Sequence, residues 1–262
     1  MTEILRTEGL TKYFGGLCAV HDVTFSMKEG EILGLIGPNG AGKTTLINMI
    51  SSALTPSRGE ILFKGERSSG IGAHKANLLG IARTFQIVRI FSKLTVLENV
   101  LAGVVDRRRK GPWRLIAESI FKPRDGGKAE RTALETADRL LDFVEISRYR
   151  DEKAENLPYA LTKRLEMARA LATDPALLLL DEPSSGLNPA ELNGQIELIR
   201  KINGQGITIL IIEHVMKVIM DISDRLIVLH YGEKIAEGQP QEVYSDPQVV
   251  EAYLGDETDA SH

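Results

Sequence analysis

The chain has 262 residues, a formal net charge of −4, 43% hydrophobic and 26% charged residues, and one cysteine. That length buries a core in one large domain or two small ones. The mildly acidic balance excludes a protein that coats nucleic acid through bulk charge, and Cys18 alone excludes an internal disulfide or a cysteine-based metal site and fits a reducing compartment. The opening "MTEILRTEGL" carries charges where a signal peptide needs an apolar core. The longest apolar runs, "ALLLL" and "ITILII", fall far short of the roughly 20 residues that span a bilayer.

In chain order, "AVHDVTFSM" alternates apolar and polar residues as a half-exposed antiparallel strand does. "EILGLIG", Glu31–Gly37, reads as a buried strand and "KTTLINMIS" as the helix that follows. From about Thr95 to Thr173 the pattern is mostly helical, broken by the irregular stretch "DRRRKGPWRLIAESIFKPRDGG". "ALLLLD" and "ITILII" are two more buried strands, and "PAELNGQIELIRKI" is a helix with Pro189 in its first turn. "DRLIVLHYGEKIAEG" reads as two strands around Tyr231-Gly232. Strands alternating with helices predict an α/β protein with a parallel sheet covered on both faces. The expected organisation is one domain over 1–255, with a helical subdomain at about 87–173 inserted into the core, an antiparallel β portion, and an unstructured tail at 256–262.

The chemistry begins at "GPNGAGKTT": Gly37, Pro38, Asn39, Gly40, Ala41, Gly42, Lys43, Thr44 and Thr45. It fits G-x-x-x-x-G-K-[ST] between a strand and a helix, where glycines turn backbone N–H groups around phosphates. Lys43 reaches the β- and γ-phosphates and the Thr44 hydroxyl suits Mg²⁺. "LLLLDEP" supplies the second half of such an ATPase: Asp181 for the metal shell and Glu182 to polarise the attacking water.

With these motifs in place, and in this order, the chain resembles the ATP-binding cassette (ABC) ATPases from Ile4 to about Gly255. The resemblance implies ATP and Mg²⁺ as cofactors, in a P-loop NTPase fold. In "TKYFGG" it implies Phe14 as the adenine stacker, with Tyr13 as the alternative and a core place for either as the bland reading. In "RTFQ" it implies Gln86 near the metal and the water, and in "IIEHVM" it implies His214 at the γ-phosphate. "PSSGLN" resembles the loop after the catalytic glutamate, where the family usually has Asp in place of Asn188.

"IARTFQIVRIFSKLTVLENVLAG", the stretch from about Val104 to Ala129, and "GEKIAEGQPQEVYSDPQVVEAYLG" are similar to the longer ATPase of branched-chain amino-acid importers. Importers for urea or short amides share these features. The implied partners are a second cassette, identical or not, membrane-spanning permease subunits docking between about Gln86 and Val100, and indirectly a binding protein. Nucleic acid is not among them. The implied place is the cytoplasmic face of the bacterial cell membrane. The basic run Arg107–Lys110 beside Trp113 reads as a solvated face, or as a contact with lipid headgroups or the permease.

One stretch departs from the family. Its signature, Leu-Ser-Gly-Gly-Gln, acts across the dimer interface on the partner's nucleotide. Here the slot holds Leu157, Pro158, Tyr159, Ala160 and Leu161. Pro158 removes a hydroxyl and an N–H, and Ala160 is expected to cost about 1–2 kcal/mol if the loop needs a left-handed residue. What remains is the N–H groups of Tyr159, Ala160 and Leu161 at a helix N-terminus. The expected result is a weakened phosphate grip, and two unequal sites if the partner carries the usual signature. An active importer ATPase is the leading reading. A cassette with impaired hydrolysis acting as a structural or regulatory subunit is the alternative, and a cassette of translation or DNA repair the third.

Overall fold

A computed structural model describes residues 2–85, 89–104 and 128–259. The strands are β1 (Glu3–Phe14), β2 (Leu17–Lys28), β3 (Ile32–Ile36), β4 (Arg58–Phe63), β5 (Glu66–Arg67), β6 (Ile81–Arg83), β7 (Leu177–Asp181), β8 (Thr208–Ile212), β9 (Arg225–His230) and β10 (Glu233–Gly238). The helices are α1 (Lys43–Ile50), α2 (Ala73–Leu79), α3 (Val96–Leu101), α4 (Lys128–Phe143), α5 (Tyr159–Leu171), α6 (Pro189–Asn203), α7 (Met216–Ile222), α8 (Pro240–Tyr244) and α9 (Pro247–Asp259). They fall into two units: Met1–Arg83 with Ala176–Ser184 and Ile199–His262, and Thr84–Pro175 with Ser185–Leu198.

In the first unit, the apolar runs become strands buried at every position, β3, β7 and β8. Continuous burial fits parallel strands covered on both faces. They lie in a sheet of order β10-β9-β3-β8-β7-β6, with β10 antiparallel to β9 and the other neighbours parallel. The hairpin from β9 to β10 turns at Tyr231 and Gly232, both at positive φ, as a two-residue hairpin favours. A second sheet, β2-β1-β4-β5, is antiparallel. Leu33, Leu35, Leu46, Ile47, Leu179 and Leu210 belong to the core between these elements. The α/β class with an antiparallel portion stands as the sequence predicts.

In the second unit, α3 and α5 each pack on α4, burying Val96, Val100, Ala137, Leu141, Leu165 and Ala168. Thr95 caps α3, its hydroxyl accepting from the Glu98 amide while Glu98 accepts from the Thr95 amide. The same reciprocal arrangement starts α6: Asn188 Oδ1 accepts from the amides of Ala190 and Glu191, and Glu191 accepts from the Asn188 amide. Residues 185–198, read from sequence as part of the α/β core, group with the helical unit. The tail differs too. α9 continues to Asp259, so 256–259 are helical rather than unstructured, and 260–262 lie outside the described residues.

Candidate nucleotide site

Strand register brings the predicted residues of the first unit to one edge. Ile212 at the end of β8 pairs with Leu35 of β3 on one side and Asp181 of β7 on the other. The chain leaving β3 enters the phosphate loop at Gly37 two residues later, the chain leaving β7 reaches Glu182, and the chain leaving β8 reaches His214. The Glu182 amide extends the ladder by donating to the Ile212 carbonyl at 3.0 Å. Ligands in open α/β sheets bind at these carboxyl ends.

The phosphate loop is tight. Gly37 has φ 146°, and a Cβ there would stand 2.1 Å from the Leu229 carbonyl oxygen. Gly42 has φ 98°, and a Cβ there would stand 2.5 Å from the Ala19 oxygen. No side chain fits at either place. Lys43 is buried, its Nζ donating to the carbonyls of Gly37 at 2.6 Å and Pro38 at 2.7 Å. Thr44, in the first turn of α1, is exposed.

Glu182 and His214 form a hydrogen bond, Oε1 to Nε2, at 2.6 Å. Glu182 has φ 50°, the left-handed region, which costs a non-glycine residue on the order of 1 kcal/mol and is concentrated at functional sites. Asp181 is buried and its Oδ2 accepts from Arg83 at 2.9 Å. Arg83 in turn donates to Asn48 of α1. Behind the pair, buried Glu213 accepts from both the amide (2.8 Å) and the hydroxyl of Ser184. This ties the loop after Glu182 to the end of β8.

Phe14 and Tyr13 are both exposed, which removes the core reading for either. Lys12 Nζ lies 5.4 Å from the Phe14 ring centroid. Gln86, the run Arg107–Lys110 and Trp113 lie outside the described residues. Sequence reasoning missed Arg83, Asn48, Ser184, Glu213 and Tyr253. Burial raises the Tyr253 phenol against the opposing pull of a hydrogen bond from the Gly37 backbone, so α9 touches the phosphate loop.

In the second unit, the altered stretch corrects one expectation. Pro158 is the N-cap of α5 with φ −53° and ψ 150°, and the helix begins at Tyr159. Ala160 lies in that first turn and is absent from the residues with positive φ. The loop does not need a left-handed residue at Ala160, so the cost conditional on one does not arise: proline holds the entry angle, and the residues after it go straight into right-handed helix. The Leu161 amide is also spent, donating to the Pro158 carbonyl at 3.0 Å, which leaves the amides of Tyr159 and Ala160 ahead of the first helical bond. Tyr159 is exposed and its ring lies 2.9 Å from where a Cβ on Gly186 would stand. Ala160→Gly is expected to lower helix stability by about 0.5–1 kcal/mol and leave ATP turnover no faster. Thermal melts and steady-state ATPase rates check this.

Comparisons with known proteins show the family. The ABC transporter family profile matches residues 20–185, more than half of the chain. The chain belongs to the ABC transporter ATP-binding cassettes. A second profile, "branched-chain amino acid ATP-binding cassette transporter", matches residues 233–259 of the cassette. The cassette is 40% identical to the high-affinity branched-chain amino acid transport ATP-binding protein BraF of Pseudomonas aeruginosa, over 97% of this chain and 98% of that one. Among solved structures, it is similar to the ADP conformation of an ABC-transporter cassette at 36% identity and TM-score 0.83, covering 97% of this chain and 100% of that one. A dimeric cassette in a post-hydrolysis state bound to ADP and Pi matches at 27% identity and TM-score 0.74, covering 90% of this chain and 99% of that one. The cassette is thus an ATP-binding, ATP-hydrolysing transport subunit. No helix among the described residues is long and apolar enough to cross a membrane.

Proposed function

We propose that this cassette is the ATP-hydrolysing subunit of an importer for branched-chain amino acids or related small polar solutes such as urea and amides. It works in a dimer with a second cassette beneath two permease subunits, at the cytoplasmic face of the cell membrane, with a binding protein delivering solute from outside. The observation that carries the hydrolytic part is the 2.6 Å Glu182–His214 hydrogen bond at the strand ends adjoining the phosphate loop. The match of the closing segment to the branched-chain amino-acid cassettes supports the solute class.

Lys43 supplies fixed positive charge to the β- and γ-phosphates, exchanging its two carbonyl partners for phosphate oxygens. Backbone N–H groups from Gly37 to Thr45 cradle the anion. The donor set fits Mg²⁺, which takes one or two carboxylates plus substrate phosphates and water rather than a protein cage. Among the described residues no cluster of three or more metal-binding side chains exists, and the exposed Thr44 hydroxyl and the Asp181 carboxylate would supply oxygen donors to it, with Gln86, by the resemblance, as a third. When bound, the ion neutralises phosphate charge. Glu182 takes the proton from the attacking water, and His214 holds Glu182 in place and faces the γ-phosphate. Phe14 stacks on adenine. Across the dimer, the N-terminus of α5 offers the amides of Tyr159 and Ala160 to the partner's nucleotide. Reconstitution with permease and binding protein in vesicles tests the reading. ATP-dependent uptake of labelled leucine is the expected result, and uptake of urea or acetamide in place of leucine would move the solute to the related class.

A further inference from the structure

The helix that begins with the altered stretch carries, about two and three turns on, a pair of charged residues that nucleotide chemistry does not use. Glu166 is buried on α5. Its Oε1 accepts from the Phe85 amide at 3.1 Å and from the Arg89 amide at 3.5 Å, so one carboxylate oxygen touches the backbone before and after residues 86–88. Arg169, one turn further along the same face, donates through Nη1 to the Arg89 carbonyl. Its guanidinium stacks 4.7 Å from the Phe91 ring, and that of Arg89 lies 4.3 Å from the Phe85 ring. Phe91 is pinned from its other side. Its amide donates to Asn99 Oδ1 at 2.8 Å and its carbonyl accepts from Asn99 Nδ2 at 3.0 Å. All of these residues belong to the second unit.

Burying a carboxylate costs several kcal/mol unless it is hydrogen-bonded, and an apolar residue would hold a helix in a core at less expense. The partners explain the expense here. Glu166 accepts from the amides of Phe85 and Arg89, and Arg169 satisfies the carbonyl of Arg89. We propose that Glu166 and Arg169 are a positioning clasp: they fix the backbone on both sides of the segment that carries Gln86 to the helix that opens with "LPYAL", so that the water-facing glutamine and the residues presented to the partner's nucleotide are set by one rigid element. The proposal rests on the reading of Gln86 as the residue near the metal and the water.

The clasp also carries a pH signature. Burial raises the Glu166 carboxyl above the ordinary glutamate range, against the opposing pulls of the Phe85 and Arg89 amides and of Lys163 and Arg169. The charged form of the clasp is lost as pH falls through that raised value. The sign for stability is opposite, because a folded-state pKa above the unfolded one means that protonation of this group favours the fold. An acid limb in turnover that comes from Glu166 is consequently not an unfolding limb.

The test uses the full-length cassette with its partner cassette. Hydrogen–deuterium exchange in the peptide spanning 84–90 reads the clasp directly: Glu166→Ala is expected to exchange about tenfold faster there, and Glu166→Gln, which keeps one acceptor oxygen, to fall between the two. Turnover reads its consequence. Glu166→Ala is expected to lower kcat about tenfold with KM for ATP within about twofold, and Glu166→Gln to recover part of the loss and to lack the acid limb. Combining Glu166→Ala with Gln86→Ala is expected to cost no more than Gln86→Ala alone. Unchanged exchange at 84–90 in Glu166→Ala overturns the clasp, as does a kcat loss that only follows a fall in melting temperature. Faster exchange together with a silent Gln86→Ala variant leaves the contact standing but overturns the role of Gln86, and with it the link to hydrolysis.

Discussion

Replacing Glu182 by Gln is expected to lower ATP turnover by about two to three orders of magnitude while leaving ATP affinity within about twofold. A positioned general base contributes roughly 10²–10⁴ in rate, and the amide has no basic oxygen to take a proton from water. The substitution keeps everything else. Gln has the same length, sits equally well or badly at φ 50°, and still offers His214 a hydrogen-bond partner at the present 2.6 Å position. Because nucleotide then persists where two cassettes meet, the variant should also elute as a dimer in ATP when the wild type does not. Single-turnover hydrolysis with the partner cassette measures the rate, and size-exclusion chromatography in ATP measures the assembly. Turnover near wild type would take the role of base away from Glu182. If the partner carries the usual signature, the same change in its glutamate is expected to hurt less, since that site faces "LPYAL" with only two amides ahead of the helical bonds.

Lys43→Ala acts earlier, on binding. Its ammonium already donates to the Gly37 and Pro38 carbonyls, so the loop loses an internal brace together with the charge that meets the phosphates. Hydrogen bonds to charged groups are worth about 1.5–3 kcal/mol, which corresponds to a loss of affinity for ATP of about 10- to 100-fold. Calorimetric titration with ATP and Mg²⁺ measures it. Affinity equal to wild type would mean that residues 37–45 are not the nucleotide site.

The parts of the site that were legible in the sequence are the parts written in contiguous residues. Three apolar runs become β3, β7 and β8, and because the proposed site residues follow their carboxyl ends, reading the strands also gave the positions of Gly37, Asp181, Glu182 and His214. What was not legible is the set of pairs that hold these residues still. Arg83 and Asp181 are 98 positions apart, Ser184 and Glu213 29, and Phe85 and Glu166 81. No periodicity encodes such contacts, and a lone Arg or Glu looks the same in sequence whether it faces water or a buried partner. The unmet condition at Ala160 has a different origin. A left-handed residue was carried over from the family's glycine, whereas the local chemistry, a proline followed by good helix formers, starts a helix at Tyr159. The grouping of 185–198 with the helical unit was hidden for the first reason, since it depends on which surface the start of α6 meets.

The left-handed backbone at Glu182 bears on how this protein would evolve in the laboratory. Gly or Asn adopts that conformation at lower cost than Glu, so a library screened for heat resistance alone should enrich them at position 182 and return sturdier proteins that no longer turn over ATP. Any thermostabilising campaign on this chain should therefore hold position 182 fixed, and should count a gain in melting temperature there as a warning.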